Sequence, residues 1–306
     1  MATATPVQAT TTSPAQSFIR FAFWPLIVTS VLATAVWADG ADQQSAARGG
    51  LAIGTLLFVM LIEQLVPRPG RGGIVGDPQL RQDLGLFFTV TLTEVFTNLA
   101  LVATALWLGA QLQGVLGTSL WPSQWSWPAQ AVLAFLAVDF LDYWVHRASH
   151  RVPWLWSIHV HHHDIGRLHV FKGTRNHPLA GLTRVFGAYF PLLLLGAPAE
   201  LLFGYQVYIT SIGSVSHANL DMRFPVFLNR LFSTPAVHRV HHASALELND
   251  RNFAAGTTLW DQLFGTYQAP EAYPDPDIGV GEASVPGGES ILRRLAWPFI
   301  WWRYTD

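Results

Sequence analysis

Four apolar runs decide what this chain can become, at residues 18–37, 51–66, 86–112 and 129–145. A run of about twenty such residues, wound as a helix, crosses roughly 30 Å of hydrocarbon. Half of the 306 residues are hydrophobic and only 12% are charged, which is too apolar for an ordinary soluble domain. Residues 1–17 are dominated by Thr, Ala, Ser, Pro and Gln and read as a disordered segment. A secretory signal would have a basic leader and a shorter apolar core, whereas only Arg20 stands near the start, so the first run reads as an uncleaved span.

Two further apolar limbs, 179–195 and 201–215, flank the turn from Gly196 to Glu200. Arg184 and Pro191 make the first limb a poor full crossing, so the pair reads as a short helical hairpin that returns to its own side. The expected fold is an all-α integral membrane protein: a bundle of about four transmembrane helices plus the hairpin, with a cytoplasmic histidine-rich cap. Its regions are the spans (18–145), a catalytic region (146–268, hairpin 179–216 included) and a tail (269–306). The tail's Trp297, Trp301 and Trp302 read as an interfacial anchor.

Orientation follows the Lys/Arg bias of the short loops. Arg68, Arg71 and Arg81 follow the second run, and Arg147, Arg151, Arg167, Lys172 and Arg175 crowd the region after the fourth. Only Arg48 lies in one opposite loop, and residues 111–130 carry no charge. Both basic loops are therefore placed in the cytoplasm, with Trp121, Trp125 and Trp127 in the outer interfacial belt. A net charge of -2 and a single lysine exclude nucleic acid as a partner.

Eight of the twelve histidines fall between Asp139 and His177. His146 and His150 are four apart, and His159, His162 and His163 form an i, i+3, i+4 set. His238, His241 and His242 repeat that set about eighty residues later. On a helix such spacings put imidazoles on one face, where several neutral nitrogens can converge on a metal. An isolated histidine is more often a structural residue, but three patterned boxes are not chance clustering. The chain has no cysteine, which removes thiolate zinc sites, iron-sulfur clusters and disulfides. Imidazole alone does not choose among iron, copper, zinc and nickel. About ten histidines exceed what one ion holds, and two metals are the natural count.

The motifs now carry a resemblance. Tyr143-Trp144-Val145-His146-Arg147 through His150, Trp156-x-x-His159-x-x-His162-His163, Arg175-x-His177-Pro178, His217-Ala218-Asn219, Thr234-Pro235-x-x-His238-Arg239-Val240-His241-His242 and Trp260-Asp261-x-Leu263-Phe264-Gly265-Thr266 occur in this order. Over roughly residues 80–268 the chain resembles the fatty acid hydroxylase and sterol desaturase superfamily. The resemblance implies a cytosol-facing dimetal centre of histidines: His146, His150, His159, His162, His163, His177, His217, His238, His241 and His242. It also implies two ferrous ions, dioxygen and a lipid substrate. His177 and His217 enter through their short motifs alone.

His161 and His169 fit no box and read as non-ligands. Asp142 and Asp139, one turn and one heptad before His146, read as carboxylates that orient ligand histidines, with ordinary inter-helix hydrogen bonding as the alternative. Glu63, Glu94, Thr97 and Asn98 lie inside spans, where a charge costs on the order of 2.5–3.5 kcal/mol. They read either as the lining of a substrate head-group pocket or, for Glu63, as a snorkelling end residue.

Oxygen rebound onto a lipid C–H site gives an alcohol, and a second hydrogen abstraction gives an alkene, so a hydroxylase is expected first and a desaturase second. Two external electrons are needed, and the chain carries no flavin or nicotinamide fingerprint and no haem domain. A separate ferredoxin or cytochrome b5 type donor is expected on the cytoplasmic face, with Arg147, Arg151, Arg167, Lys172 and Arg175 as its footprint. A non-oxidative metal-binding or metal-transport protein is the competing class. It would spread ligands through the bilayer depth. Low lysine with abundant Ala, Leu, Gly and Arg suggests a bacterial cytoplasmic membrane as the location.

Overall fold

The computed structural model describes residues 13–38, 44–68, 73–280 and 290–304, and is helical with no strand among them. Two isolated bridges, Phe232 with Thr257 and Ala243 with Ile278, pin loops together.

The helices start where capping chemistry allows. Helix α1 (Pro14–Phe21) opens on a capping box between Ser13 and Gln16, with Pro14 in its first turn. Of the stretch expected to be disordered, residues 1–12 lie outside the described residues and the remainder opens α1. It bends by 56° into α2 (Phe23–Ala38). Helix α3 (Gln44–Leu65) begins before Arg48, so the expected loop there is helical. Helix α4 (Leu80–Leu116) ends on Gly117 in the left-handed region, and α5 (Trp127–Arg151) ends at Val152 because Pro153 disfavours further helix there.

Two helices, α4 and α5, are long and apolar enough to cross a membrane, and a third joins them if the bent α1–α2 pair is one span. The apolar part of α3, Gly50–Leu65, is shorter. Helix α4 presents Phe88, Leu92, Val95, Phe96 and Leu99 outward. The hydroxyls of Thr89, Thr93, Thr97 and Thr104 bond to carbonyls one turn back, which satisfies them without water.

The hairpin forms from α7 (Pro178–Arg184), a π turn over Val185–Tyr189, α8 (Phe190–Leu194) and α9 (Ala199–His217). Helix α9 packs on α2, α3 and α5 and is largely buried, while α4 packs on α7 and α8. Glu63 does not snorkel: its buried Oε2 accepts the backbone N–H groups of Val170 (2.8 Å) and Asn219 (3.1 Å), tying α3 to the loops around the histidines. Trp121 is also buried, its Nε1 donating to Gln130 (2.8 Å), so only Trp125 and Trp127 remain exposed of the expected belt.

The histidine-bearing end is built from α6 (Pro153–His163), α10 (Val226–Leu231), α11 (Pro235–His241), α12 (Leu246–Asn249) and α13 (Leu259–Leu263). The tail does more than anchor. Helix α14 (Ile291–Ala296) inserts buried Arg294 against Asp164 (2.7 Å), and Trp297 packs on Val160. Leu292, Phe299 and Trp302 stay exposed.

Candidate metal centre

Nine histidines converge in two adjoining groups. His146, His150, His159, His163 and His241 form one, and His162, His217, His238 and His242 the other, with the donor atoms within 4.8 Å of one another in each. Each H-x-x-H-H box straddles both groups. The i, i+4 pairs His159/His163 and His238/His242 each stay within one group, while His162 and His241 cross to the other. The groups touch where His163 stacks on His242 at 4.4 Å.

Helical spacing aims the rings, and backbone carbonyls set their tautomers. The Nδ1–H groups of His146, His241, His217 and His162 donate to the carbonyls of Phe253 (2.6 Å), Arg251 (2.7 Å), Gly213 (2.7 Å) and Arg175 (3.3 Å). Each Nε2 is left with a lone pair pointing inward. His150 has Asp250 at 3.5 Å from its Nδ1, and Asn249 approaches His163 Nδ1 at the same distance. The His150 contact, joined by Arg151, holds the Asp250 carboxyl below the usual range against its burial.

These lone pairs face one another. His146 and His159 approach at 3.0 Å, and His217, His238 and His242 lie 3.1 Å apart in a triangle, with His162 3.3 Å from His217. The Nε2 atoms of His150, His163 and His241 are buried with no hydrogen-bond partner. Converging lone pairs repel unless a cation lies between them. Donors on a metal at about 2.1 Å stand about 3.0–3.4 Å apart in octahedral or tetrahedral arrangement, so the residues present fit a metal in each group.

Of the ten histidines expected as ligands, His177 lies in neither group. Its Nδ1 accepts the Leu179 N–H (3.1 Å) at the start of α7, and its Nε2 donates to the Leu295 carbonyl (3.1 Å). His161 stacks on it at 5.4 Å, on the far side of α6 from the groups. His169 belongs to a third cluster with Asp77 and Asp83. There Lys172 Nζ already supplies the cation, 2.7 Å from Asp83 and 3.0 Å from Asp77, and Arg175 adds a second contact to Asp83 at 2.5 Å. Burial alone would raise Asp77, but the His169 hydrogen bond, the Gln79 N–H and Lys172 outweigh it and hold its carboxyl low. Lys172 and Arg175 are fully buried, so they drop out of the expected electron-donor footprint.

The two carboxylates read as partners of ligand histidines serve elsewhere. Asp142 takes Nε and Nη2 of Arg184 at 2.7 and 2.6 Å. Asp139 accepts Tyr205 Oη (2.7 Å), Gly256 N–H (3.0 Å), Thr257 Oγ1 (2.8 Å) and Trp260 Nε1 (3.1 Å). A side chain at Gly256 would meet Asp139 Oδ1 at 2.6 Å, so glycine is needed for that approach. Asp261 holds the N–H groups of Phe253 and Ala254 and the Thr266 hydroxyl, and burial pushes it up to about 6 despite those bonds. Asn252, at φ 56°, bridges Val237 and Gln268. The Trp-Asp-x-Leu-Phe-Gly-Thr motif thus fixes the loop whose carbonyls orient His146 and His241.

Burial pushes His159, His162, His163, His238, His241 and His242 well below the ordinary imidazole value, and neighbouring imidazoles add to it. They stay neutral when folded, while the unfolded chain takes up protons below about pH 6.5. Their contribution to stability is therefore complete above that value. It is lost as pH falls further, at about 1.4 kcal/mol per pH unit for each histidine. Melting of the metal-free protein in detergent should drop steeply between about pH 7 and about pH 5. A flat profile would mean that these rings are hydrated.

Comparison with known proteins agrees with the site. The family model described as fatty acid hydroxylase matches residues 131–266. An ornithine lipid hydroxylase of Rhizobium tropici is 30% identical over 295 residues, covering 90% of this chain and 82% of that protein. A human alkylglycerol monooxygenase is 31% identical over 49% of this chain, which spans only 32% of that protein's length. A rat lathosterol oxidase is 26% identical over half of each chain. No solved structure matches. With histidine boxes, helical membrane architecture and a relative similar along most of its length, the chain belongs to the fatty acid hydroxylase family.

Proposed function

We propose that the protein is a membrane-bound diiron oxygenase that hydroxylates a C–H bond of a lipid, using dioxygen and two external electrons. The observation that carries this reading is the pair of adjoining all-nitrogen groups, five and four histidines in contact through His163 and His242. Iron bound there would supply dioxygen reduction and C–H oxidation. The chain's own part is to present neutral imidazoles, fixed by the carbonyls of Phe253, Arg251, Gly213 and Arg175, in two adjoining groups.

The lipid class is supported by the ornithine lipid hydroxylase that resembles nearly the whole chain, and a bacterial cytoplasmic membrane is the proposed location. Four crossings are proposed, counting α1–α2 and α3 as spans, with the histidine end in the cytoplasm by the Lys/Arg bias. A reporter fused at residue 306 should then read cytoplasmic and one near Ser123 the opposite side; the reverse result would overturn the orientation. The electrons come from a separate ferredoxin or cytochrome b5 type protein. Arg147, stacked on Trp144 at 5.2 Å, exposed Arg151 and half-buried Arg167 are the cations of the expected footprint left for its docking.

The reaction is tested by isotope. Under oxygen-18 gas, with an electron donor and an ornithine lipid, the product should gain one labelled oxygen atom. A product lacking two hydrogens and carrying no label would make the enzyme a desaturase.

A further inference from the structure

Glu94 sits in the apolar stretch of α4 between outward-facing Leu92 and Val95, yet it faces the protein. Its carboxylate lies against the backbone of α7: a Cβ added at Gly181 would fall 2.3 Å from Glu94 Oε1. Its charged neighbour is Arg184, one turn further along α7. Arg184, however, is already matched, because Asp142 takes both Nε and Nη2. Arg184 is thus engaged by Asp142, and no hydrogen bond to Glu94 occurs among the described residues.

A second polar atom on the same face is equally unmatched. Asn98, four residues along α4 and so one turn away, has a buried Oδ1 without a partner. Both unmatched atoms are hydrogen-bond acceptors. Thr93 and Thr97, which flank Glu94, are satisfied by carbonyls one turn back. Buried acceptors left open in an apolar span usually face a partner or a cavity.

Their place relative to the metal centre gives them a use. Asp142 is one turn before His146 on α5, so the Arg184–Asp142 pair lies beside a histidine of the first group. Arg184 keeps 26% of its side chain accessible, and Glu94, His146 and His159 are likewise only partly buried. The open side of the histidine centre and the two unmatched acceptors thus adjoin the same charged cluster.

Resting on the oxygenase reading above, we infer that Glu94 and Asn98, backed by the Arg184–Asp142 pair, form a binding site for a hydrogen-bond-donating polar group of the lipid, an ammonium or a hydroxyl. Gly181 serves this site by leaving room for the Glu94 carboxylate.

The test is lipid binding by the purified full chain in detergent micelles, read by native mass spectrometry with three probes. Ornithine lipid offers an N–H-bearing ammonium, diacylglycerol a hydroxyl, and phosphatidylcholine a cation without a donor. The wild type should retain ornithine lipid or diacylglycerol at least about tenfold better than phosphatidylcholine. Glu94→Gln removes the charge but keeps an acceptor, whereas Glu94→Leu removes both and suits an apolar span. Loss of about tenfold in both variants identifies an ammonium; loss in Glu94→Leu alone identifies a hydroxyl. Equal retention by the wild type and both variants, or no preference over phosphatidylcholine, overturns the inference. Metal content measured on the same samples separates the two readings: two metals with Glu94-independent binding sinks only this site, and Glu94-dependent binding without metal sinks only the oxygenase.

Discussion

Replacing His242 with alanine is expected to cut bound metal from about two ions per chain to about one and to lower lipid oxidation by about 10³-fold or more, whereas His177→Ala should keep both metals. His242 is fully buried, stacks on His163 across the junction of the two groups, and completes the triangle with His217 and His238. Removing it leaves the second group three nitrogens, and losing a metal's contribution costs several kcal/mol of barrier. His177 spends both ring nitrogens on Leu179 and Leu295 and points at neither group. Elemental analysis and a lipid oxidation assay on the two variants decide the matter. Equal metal loss in both would restore His177 to the ligand set.

The second large effect falls on stability. Asp139→Ala should destabilise the protein by about 3 kcal/mol or more, because Tyr205, Gly256, Thr257 and Trp260 all lose their acceptor in a buried place. It should also release the segment that follows the carbonyls of Arg251 and Phe253. Thermal unfolding in detergent checks this. An unchanged melting temperature with weakened metal binding would instead mean that Asp139 acts on a ligand histidine directly.

Nine of the ten histidines expected as ligands fall in the two groups, and this clustering was legible because the signal is local. A spacing of three or four residues on a helix puts rings on one face whatever the rest of the chain does. The same logic could not divide each box between two metals, since one helix face does not say which neighbour it meets. Nor could it foresee that the His177 ring, whose motif matches the family, hydrogen-bonds at the start of α7 instead of joining a group.

The orienting partners were not legible at all. His146 and Phe253 are 107 residues apart and meet through a backbone carbonyl, a group every residue carries. Asp142 lies on the predicted helix turn, but Arg184 arrives from a helix 42 positions later and takes it. Of the four spans expected from hydropathy, α4 and α5 are long and apolar enough to cross, the first only if its two limbs broken at Ala22 count as one, and α3 is shorter; neither the break nor the 37-residue length of α4 was readable. The charged set Asp77, Asp83, Lys172 and Arg175 looked like loop charge. In the fold it is a buried knot whose Arg175 carbonyl reaches His162.

The central claim is that nine histidines form two contiguous metal sites. Iron determination on protein reconstituted without oxygen, expressed per chain by amino-acid analysis, tests it most directly. Two ions per chain are predicted, falling to about one in His242→Ala. A single ion at saturation in the wild type, or two ions unaffected by that substitution, would contradict it.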